Sequence, residues 1–259
     1  MKLVTVSQMR AIEKEADAKG ISYAQMMQNA GCGLAEIVHV IGQEHGWTNV
    51  VGIVGSGNNG GDALVALTWL AKAGWKTQAY VVKRQDADEE LVKKYLDAGG
   101  QILQHADDVS LNTLRDFLED VDILIDGLLG TGIKLPLRKD ASHVLQEISH
   151  LLLKRKHSPF IVAVDCPSGI DCDTGECADE TLRADLTITM AAVKQGLLKL
   201  PAYEYIGKLE LVDIGLPKDL DSWDALQIDV ADADIVSAIL PKRTPASHNG
   251  TFGTAFVVA

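Results

Sequence analysis

Short apolar runs alternate with amphipathic stretches along most of this chain. The runs fall at residues 50–54, 77–82, 123–125, 160–164, 186–190 and 209–214, with a shorter one at 101–103. Between them, apolar residues recur at helical spacing over 62–73, 88–98, 110–118 and 141–154. Strands of about five residues that are apolar throughout are covered on both faces, which is the pattern of a parallel sheet between helix layers. Two helices are expected ahead of this alternation, at 7–19, opened by a serine cap at Ser7, and at 23–45. The expected fold is α/β, a Rossmann-like three-layer α/β/α sandwich with a mostly parallel sheet.

The pattern changes after Gly215-Leu216-Pro217. Residues 217–234 are acidic and loosely patterned, and Leu240-Pro241-Lys242-Arg243-Thr244-Pro245 reads as a linker. An apolar run, Thr254-Ala255-Phe256-Val257-Val258-Ala259, comes next. The expected division is a first domain over 1–215, then a linker and the opening of a second domain over 216–259.

The strand at 50–54 runs into Gly55-Ser56-Gly57-Asn58-Asn59-Gly60-Gly61-Asp62. A strand, a glycine-rich turn and a helix start cradle phosphate on backbone N–H groups. Two asparagines and an aspartate add carbonyl oxygens and a carboxylate to that cradle, so something besides phosphate is expected there. A dinucleotide-binding dehydrogenase would carry an acidic residue roughly 20 positions further on. Lys83 and Arg84 stand there instead, which disfavours hydride transfer with a resident NAD.

Ligands of open α/β sheets bind beyond the carboxyl ends of the strands. Three more segments occupy such ends: Asp126-Gly127-Leu128-Leu129-Gly130-Thr131-Gly132, Asp165-Cys166-Pro167-Ser168-Gly169-Ile170-Asp171, and Ala191-Ala192-Val193-Lys194-Gln195-Gly196. Together with the first loop they bring carboxylates, a hydroxyl and an amine to one rim. Asn59, Asp126 and Ser168 offer an all-oxygen set with one carboxylate, which suits an alkali cation better than zinc. Asp165 and Lys194 are the proton-transfer candidates, and Asp62 is either a first-turn helix acid or a ligand contact.

Composition narrows the class. The 259 residues are 47% hydrophobic, enough for a sizeable core, and the net charge is −12. That charge argues against nucleic acid or an anionic membrane as partner. The opening Met1-Lys2-Leu3-Val4 lacks an apolar signal core, and no run reaches the roughly 18 residues of a membrane span. A cytoplasmic location is the expectation, with Cys32, Cys166, Cys172 and Cys177 reduced.

These segments, with Met27-Gln28-Asn29-Ala30-Gly31, resemble the NAD(P)H-hydrate epimerase family over about residues 5–215. The stretch Arg243-Thr244-Pro245-Ala246-Ser247-His248-Asn249-Gly250-Thr251-Phe252-Gly253 resembles the start of the ribokinase-like NAD(P)H-hydrate dehydratase domain, which comes after the epimerase in bifunctional repair enzymes. The resemblance implies interconversion of the R and S forms of hydrated NADH or NADPH, which carry a hydroxyl at C6 of the nicotinamide ring. It implies substrate contacts at Asn58, Asn59, Gly60, Gly61 and Asp62, along Gly130-Thr131-Gly132-Ile133-Lys134-Leu135-Pro136, and at Asp165. It also implies a potassium ion (K+) on Asn59, Asp126 and Ser168, and a homodimer or higher homo-oligomer. Dehydratase activity is expected only of a full-length bifunctional protein. Two positions depart from the family pattern: Ala63, where glycine is usual and a methyl is expected to tighten the pocket, and Asn249, where lysine is common. The alternative from another class is a non-catalytic nucleotide-binding or scaffold module.

Overall fold

The computed structural model describes residues 1–83, 89–155, 157–241, 244–248 and 250–253. Arg84, Asp88, Arg243, Asn249 and the apolar run 254–259 lie outside these described residues.

The sheet is built from β2 (Asn49–Val54), β3 (Lys76–Val81), β4 (Gln101–Gln104), β5 (Ile123–Gly127), β6 (Phe160–Val164), β7 (Leu186–Met190) and β9 (Lys208–Val212). Its order is β4-β3-β2-β5-β6-β7-β9, and every neighbouring pair is parallel. A separate parallel pair joins β1 (Leu3–Val4) to β8 (Val193–Lys194), with Val4 opposite Lys194. The chain order reverses between β2 and β5, so the crevice at their carboxyl ends is the topological switch point.

Alternate strand residues serve the two faces. Val50 and Val54 join α1 (Val6–Ala18), α2 (Tyr23–His45), α3 (Asn58–Lys72) and α4 (Glu89–Asp97) in one core. Val51 and Ile53 join α5 (Asn112–Glu119) and α6 (Lys139–Lys154) in the other. This is the expected three-layer sandwich, with the period-2 alternation of strands feeding both layers.

Several boundaries differ from the expectation. Helix α1 is capped by Thr5, not Ser7: the Gln8 backbone N–H donates to Thr5 Oγ1 at 3.1 Å and the Thr5 N–H to Gln8 Oε1 at 2.8 Å, a complete capping box. Helix α3 begins at Asn58, so Asn58-Asn59-Gly60-Gly61 is its first turn, not a loop before it. Helix α3 packs closely on α2. A Cβ on Gly31 of α2 would lie 2.4 Å from the Val65 Cβ and 2.7 Å from the Asp62 carbonyl oxygen. Within the first turn, the Asn59 amide nitrogen donates to the Leu129 and Val164 carbonyls, which offsets the weak helix propensity of the Asn-Gly run.

Beyond Gly215 the chain stays on the same body. Leu220 and Leu226, flanking α7 (Asp221–Asp224), are buried in the first core, and Leu216 and Trp223 pack against it. Glu15 of α1 accepts the Asp221 and Ser222 N–H groups, each at 2.9 Å. Helix α8 (Ala233–Ile239) comes next. No helix among the described residues is long and apolar enough to cross a membrane. All four cysteines are free.

Candidate active site

A cavity of about 990 Å³ opens at the switch point. Its walls include Asn58, Asn59 and Asp62 of α3, the strand-end loop at Gly130, Thr131, Gly132, Ile133, Lys134 and Pro136, and Asp165 and Lys194. Gly60, Gly61 and Leu135 are not on its walls, and Asp126 and Ser168 lie below it in the protein.

The first turn of α3 forms one wall. Its N-cap is Gly57, which provides no side-chain cap, and Gly57, Asn58 and Asn59 line the cavity, so the start of the helix, where backbone donors lack intrahelical partners, is next to it. The loop backbone is packed too closely for side chains at certain points. A Cβ on Gly55 would lie 1.8 Å from the Leu128 carbonyl oxygen. The methyl of Ala63 points into the core, 2.7 Å from where a Gly127 Cβ would sit, and does not reach the cavity. The expectation that it tightens the pocket is therefore corrected: Gly127 leaves the space that the extra methyl fills.

Asp165 comes directly after β6 with φ +64°, a left-handed conformation uncommon for a residue with a side chain. The turn swings its carboxylate back toward β7 and β8. Its Oδ1 accepts from Thr189 Oγ1 at 3.1 Å, from the Met190 N–H at 3.0 Å and from the Lys194 ammonium. Lys194 is 1% exposed and also donates to the Met190 carbonyl at 2.9 Å and to Thr189 Oγ1 at 3.3 Å. Every one of these bonds to Asp165 is on Oδ1. Among the described residues Oδ2 accepts none, which leaves it for whatever enters the cavity.

Beneath the cavity, Asp126 at the end of β5 is fully buried. Its Oδ1 accepts from Ser168 Oγ at 2.5 Å and the Leu128 N–H at 3.3 Å, and its Oδ2 from the Ser168 N–H at 2.8 Å. Burial pushes its carboxyl up, opposed by these hydrogen bonds. The Asn59 amide nitrogen donates to the Leu129 carbonyl at 3.4 Å and to the Val164 carbonyl. A Gly130 Cβ would lie 2.4 Å from Asn59 Oδ1, so this glycine is what lets the two loops meet. The fold thus brings Asn59, Asp126 and Ser168 into one cluster.

Sequence reasoning missed an entire wall. Met9, Arg10, Glu13 and Lys14 of α1 line the cavity, as do Tyr23, Met26 and Met27 of α2. Arg10, Glu13 and Lys14 belong to none of the motifs singled out in the sequence. The available signal was the spacing 6, 9–10, 13–14, a single stripe beside the buried stripe of Val6, Met9, Ile12 and Ala16. Lys83, by contrast, pairs with Asp140 and is not on the cavity wall.

Comparisons with known proteins identify the family. Residues 23–196 match the family model described as YjeF-related protein N-terminus. A Rhodopirellula baltica protein named NAD(P)H-hydrate epimerase is 34% identical over 215 residues, covering 80% of this chain and 83% of its own. A Clavibacter michiganensis protein of the same name is 34% identical, covering 80% and 87%. A Thermofilum pendens protein named bifunctional NAD(P)H-hydrate repair enzyme is 31% identical over the whole chain, which corresponds to 48% of that relative. The chain thus spans about half the length of such bifunctional relatives. The crystal structure of yeast ynu0 superposes with a TM-score of 0.69 at 22% identity, covering 82% of this chain and 87% of that one, and supports the fold. By the family match and the coverage of these relatives, the chain belongs to the YjeF-related N-terminal family that includes the proteins named NAD(P)H-hydrate epimerase.

Proposed function

We propose that the chain is an epimerase that interconverts the R and S forms of hydrated NADH and NADPH. The observation that carries this reading is the half-tied Asp165 carboxylate, open on Oδ2 into a cavity roofed by a helix N-terminus. A cavity near 990 Å³ is at the upper end of ligand-pocket sizes, as a dinucleotide requires. Arg10, Lys14, Lys134 and Arg138 line it in a chain of net charge −12. That local excess of cations, with the α3 amides, suits a pyrophosphate.

Epimerisation at C6 is redox-neutral. The ring nitrogen lone pair expels the hydroxyl, leaving a planar carbon that water re-enters from either face. The protein's task is to move a proton at that oxygen and to stabilise the transient charge. Asp165 is assigned to the proton at the C6 oxygen, with Lys194 fixing Asp165 in place. Contacts from Asn58, Asn59, Asp62 and the 130–136 loop orient the ring and ribose.

The donor set of Asn59, Asp126 and Ser168 fits a potassium ion. Asp126 is a buried carboxylate that forms no ion pair among the described residues, and the Leu129 and Val164 carbonyls converge on the Asn59 amide, whose oxygen and nitrogen exchange by rotation. When bound, such an ion would neutralise Asp126 and hold the loops from β2, β5 and β6 together. The same reading expects a homo-oligomer and a cytoplasmic location. It also treats the segment after the first domain as a separate unit; the burial of Leu220 and Leu226 argues for keeping residues up to Val230 with the epimerase.

The test is Asp165→Asn. The rate of R-to-S conversion is expected to fall by ~10² or more, the usual share of acid–base catalysis. Turnover within a few-fold of the parent protein would remove Asp165 from the chemistry.

A further inference from the structure

Epimerisation by loss and return of water needs a proton donor as the hydroxyl departs and an acceptor as water returns. Asp165, anchored on Oδ1 by three hydrogen bonds, one from the Lys194 ammonium, serves one face of the planar carbon, and the oxygen on the other face needs a proton carrier of its own. The cavity holds another carboxyl group. Glu13 lies on its wall, half-buried, two turns into α1. The two groups share one frame: Lys194 sits on β8, whose partner β1 leads directly into α1, with Val4 opposite Lys194 in register.

We propose that Glu13 is a second proton carrier of this reaction, giving its proton to the C6 hydroxyl while Asp165 receives the proton of the incoming water. The inference rests on the epimerase reading. In the first half, the C6–O bond breaks, its electron pair leaves with the oxygen, and that oxygen takes the Glu13 proton and departs as water. The ring nitrogen lone pair becomes the second bond of C6=N1. In the second half, water forms a new C6–O bond on the other face, the π pair returns to nitrogen, and Asp165 takes the surplus proton. Exchange with solvent returns a proton to Glu13. In the reverse direction the two carboxyls exchange roles.

The surroundings of Glu13 shift it toward its protonated form. Burial pushes its carboxyl up; Lys194 opposes this, Asp165 adds to it, and Arg10, one turn back on α1, opposes it. Lys14, Asp62, Lys134 and Arg138 also face the cavity from α1, α3 and the 130–138 segment.

The experiment compares parent protein, Glu13→Gln and Glu13→Asp on hydrated NADH, reading kcat, KM and the pH profile. Conversion by the parent protein establishes the epimerase reading independently. Glu13→Gln should then lose ~10²-fold in kcat with KM within about threefold, and should lose the decline in kcat toward high pH that marks an acid. Glu13→Asp should recover part of the loss. A Glu13→Gln variant with parental kcat, or one whose loss is all in KM, overturns the proposal. So does an unchanged pH profile. An inactive parent protein overturns the epimerase reading instead.

Discussion

Lys194 is nearly inaccessible, and its ammonium meets Asp165, Thr189 and the Met190 carbonyl at the floor of the cavity. Lys194→Met preserves the bulk of the side chain and removes the charge. It leaves the Asp165 carboxylate, 9% exposed, with only the Thr189 hydroxyl and the Met190 N–H on Oδ1. Breaking a buried ion pair from one side costs about 3–5 kcal/mol. Because Asp165 Oδ2 opens onto the cavity, water relieves part of that cost, and the lower end, about 3 kcal/mol, is expected. Each kcal/mol moves Tm by about 2–4 °C in a domain of this size, so the fall should be about 6–12 °C. The assay is thermal unfolding at pH 7 by circular dichroism, beside the double variant Asp165→Asn/Lys194→Met, which removes both charges. The double variant should regain most of the lost stability. A drop below about 2 °C for Lys194→Met, or a double variant no better than the single one, would refute a buried ion pair at this site.

Replacing potassium by lithium should lower Tm and the epimerisation rate of the parent protein, and should leave Asp126→Asn almost indifferent; equal responses of the two would remove Asp126 from ion binding. Gly55→Ala should destabilise by at least about 1–3 kcal/mol, since its methyl meets the Leu128 carbonyl oxygen, whereas Gly57→Ala, with nothing within 4 Å of the new methyl, should change denaturant midpoints little. Equal losses would contradict the loop geometry. Glu15 is held down at about 2 by hydrogen bonds from Ser222 and Asp221. Its carboxylate is lowered on folding, so its contribution is full above about pH 4.5 and is lost as pH falls from there toward about 2. Glu15→Gln should therefore speed amide exchange at Asp221 and Ser222 at pH 7 and flatten the acid loosening of that segment; unchanged exchange would count against the cap.

Much of the fold was written in the pattern of the chain. The apolar runs at 50–54, 123–125 and 160–164 marked the sheet, because strands buried on both faces carry few polar interruptions. The loops at their ends then came from the rule for open sheets, and Asn59, Asp126 and Ser168 do converge. The start of α3 was not legible, since Asn-Asn-Gly-Gly is a poor helix former and the contacts that hold Asn59, from Gly127, Gly130 and the Val164 carbonyl, come from segments further along the chain. Nor was the wall from α1. Arg10, Glu13 and Lys14 look like solvated polar residues until the β1–β8 pair sets that helix across the cavity. The left-handed turn at Asp165 left no trace either, and the Lys194 and Met190 groups that its carboxylate meets come from strands further along the chain. Leu220 and Leu226 are isolated among acidic residues, so no period marked them as core.

The epimerase assignment is tested most directly by conversion of the R form. Hydrated NADH is first depleted of its S form by a dehydratase specific for S, and the chain is then added with that dehydratase still present. The remaining R form should be consumed at a rate proportional to the amount of chain added. Persistence of the R form at its spontaneous rate, with the ligand bound but unchanged, would contradict the assignment and leave a nucleotide-binding module in its place.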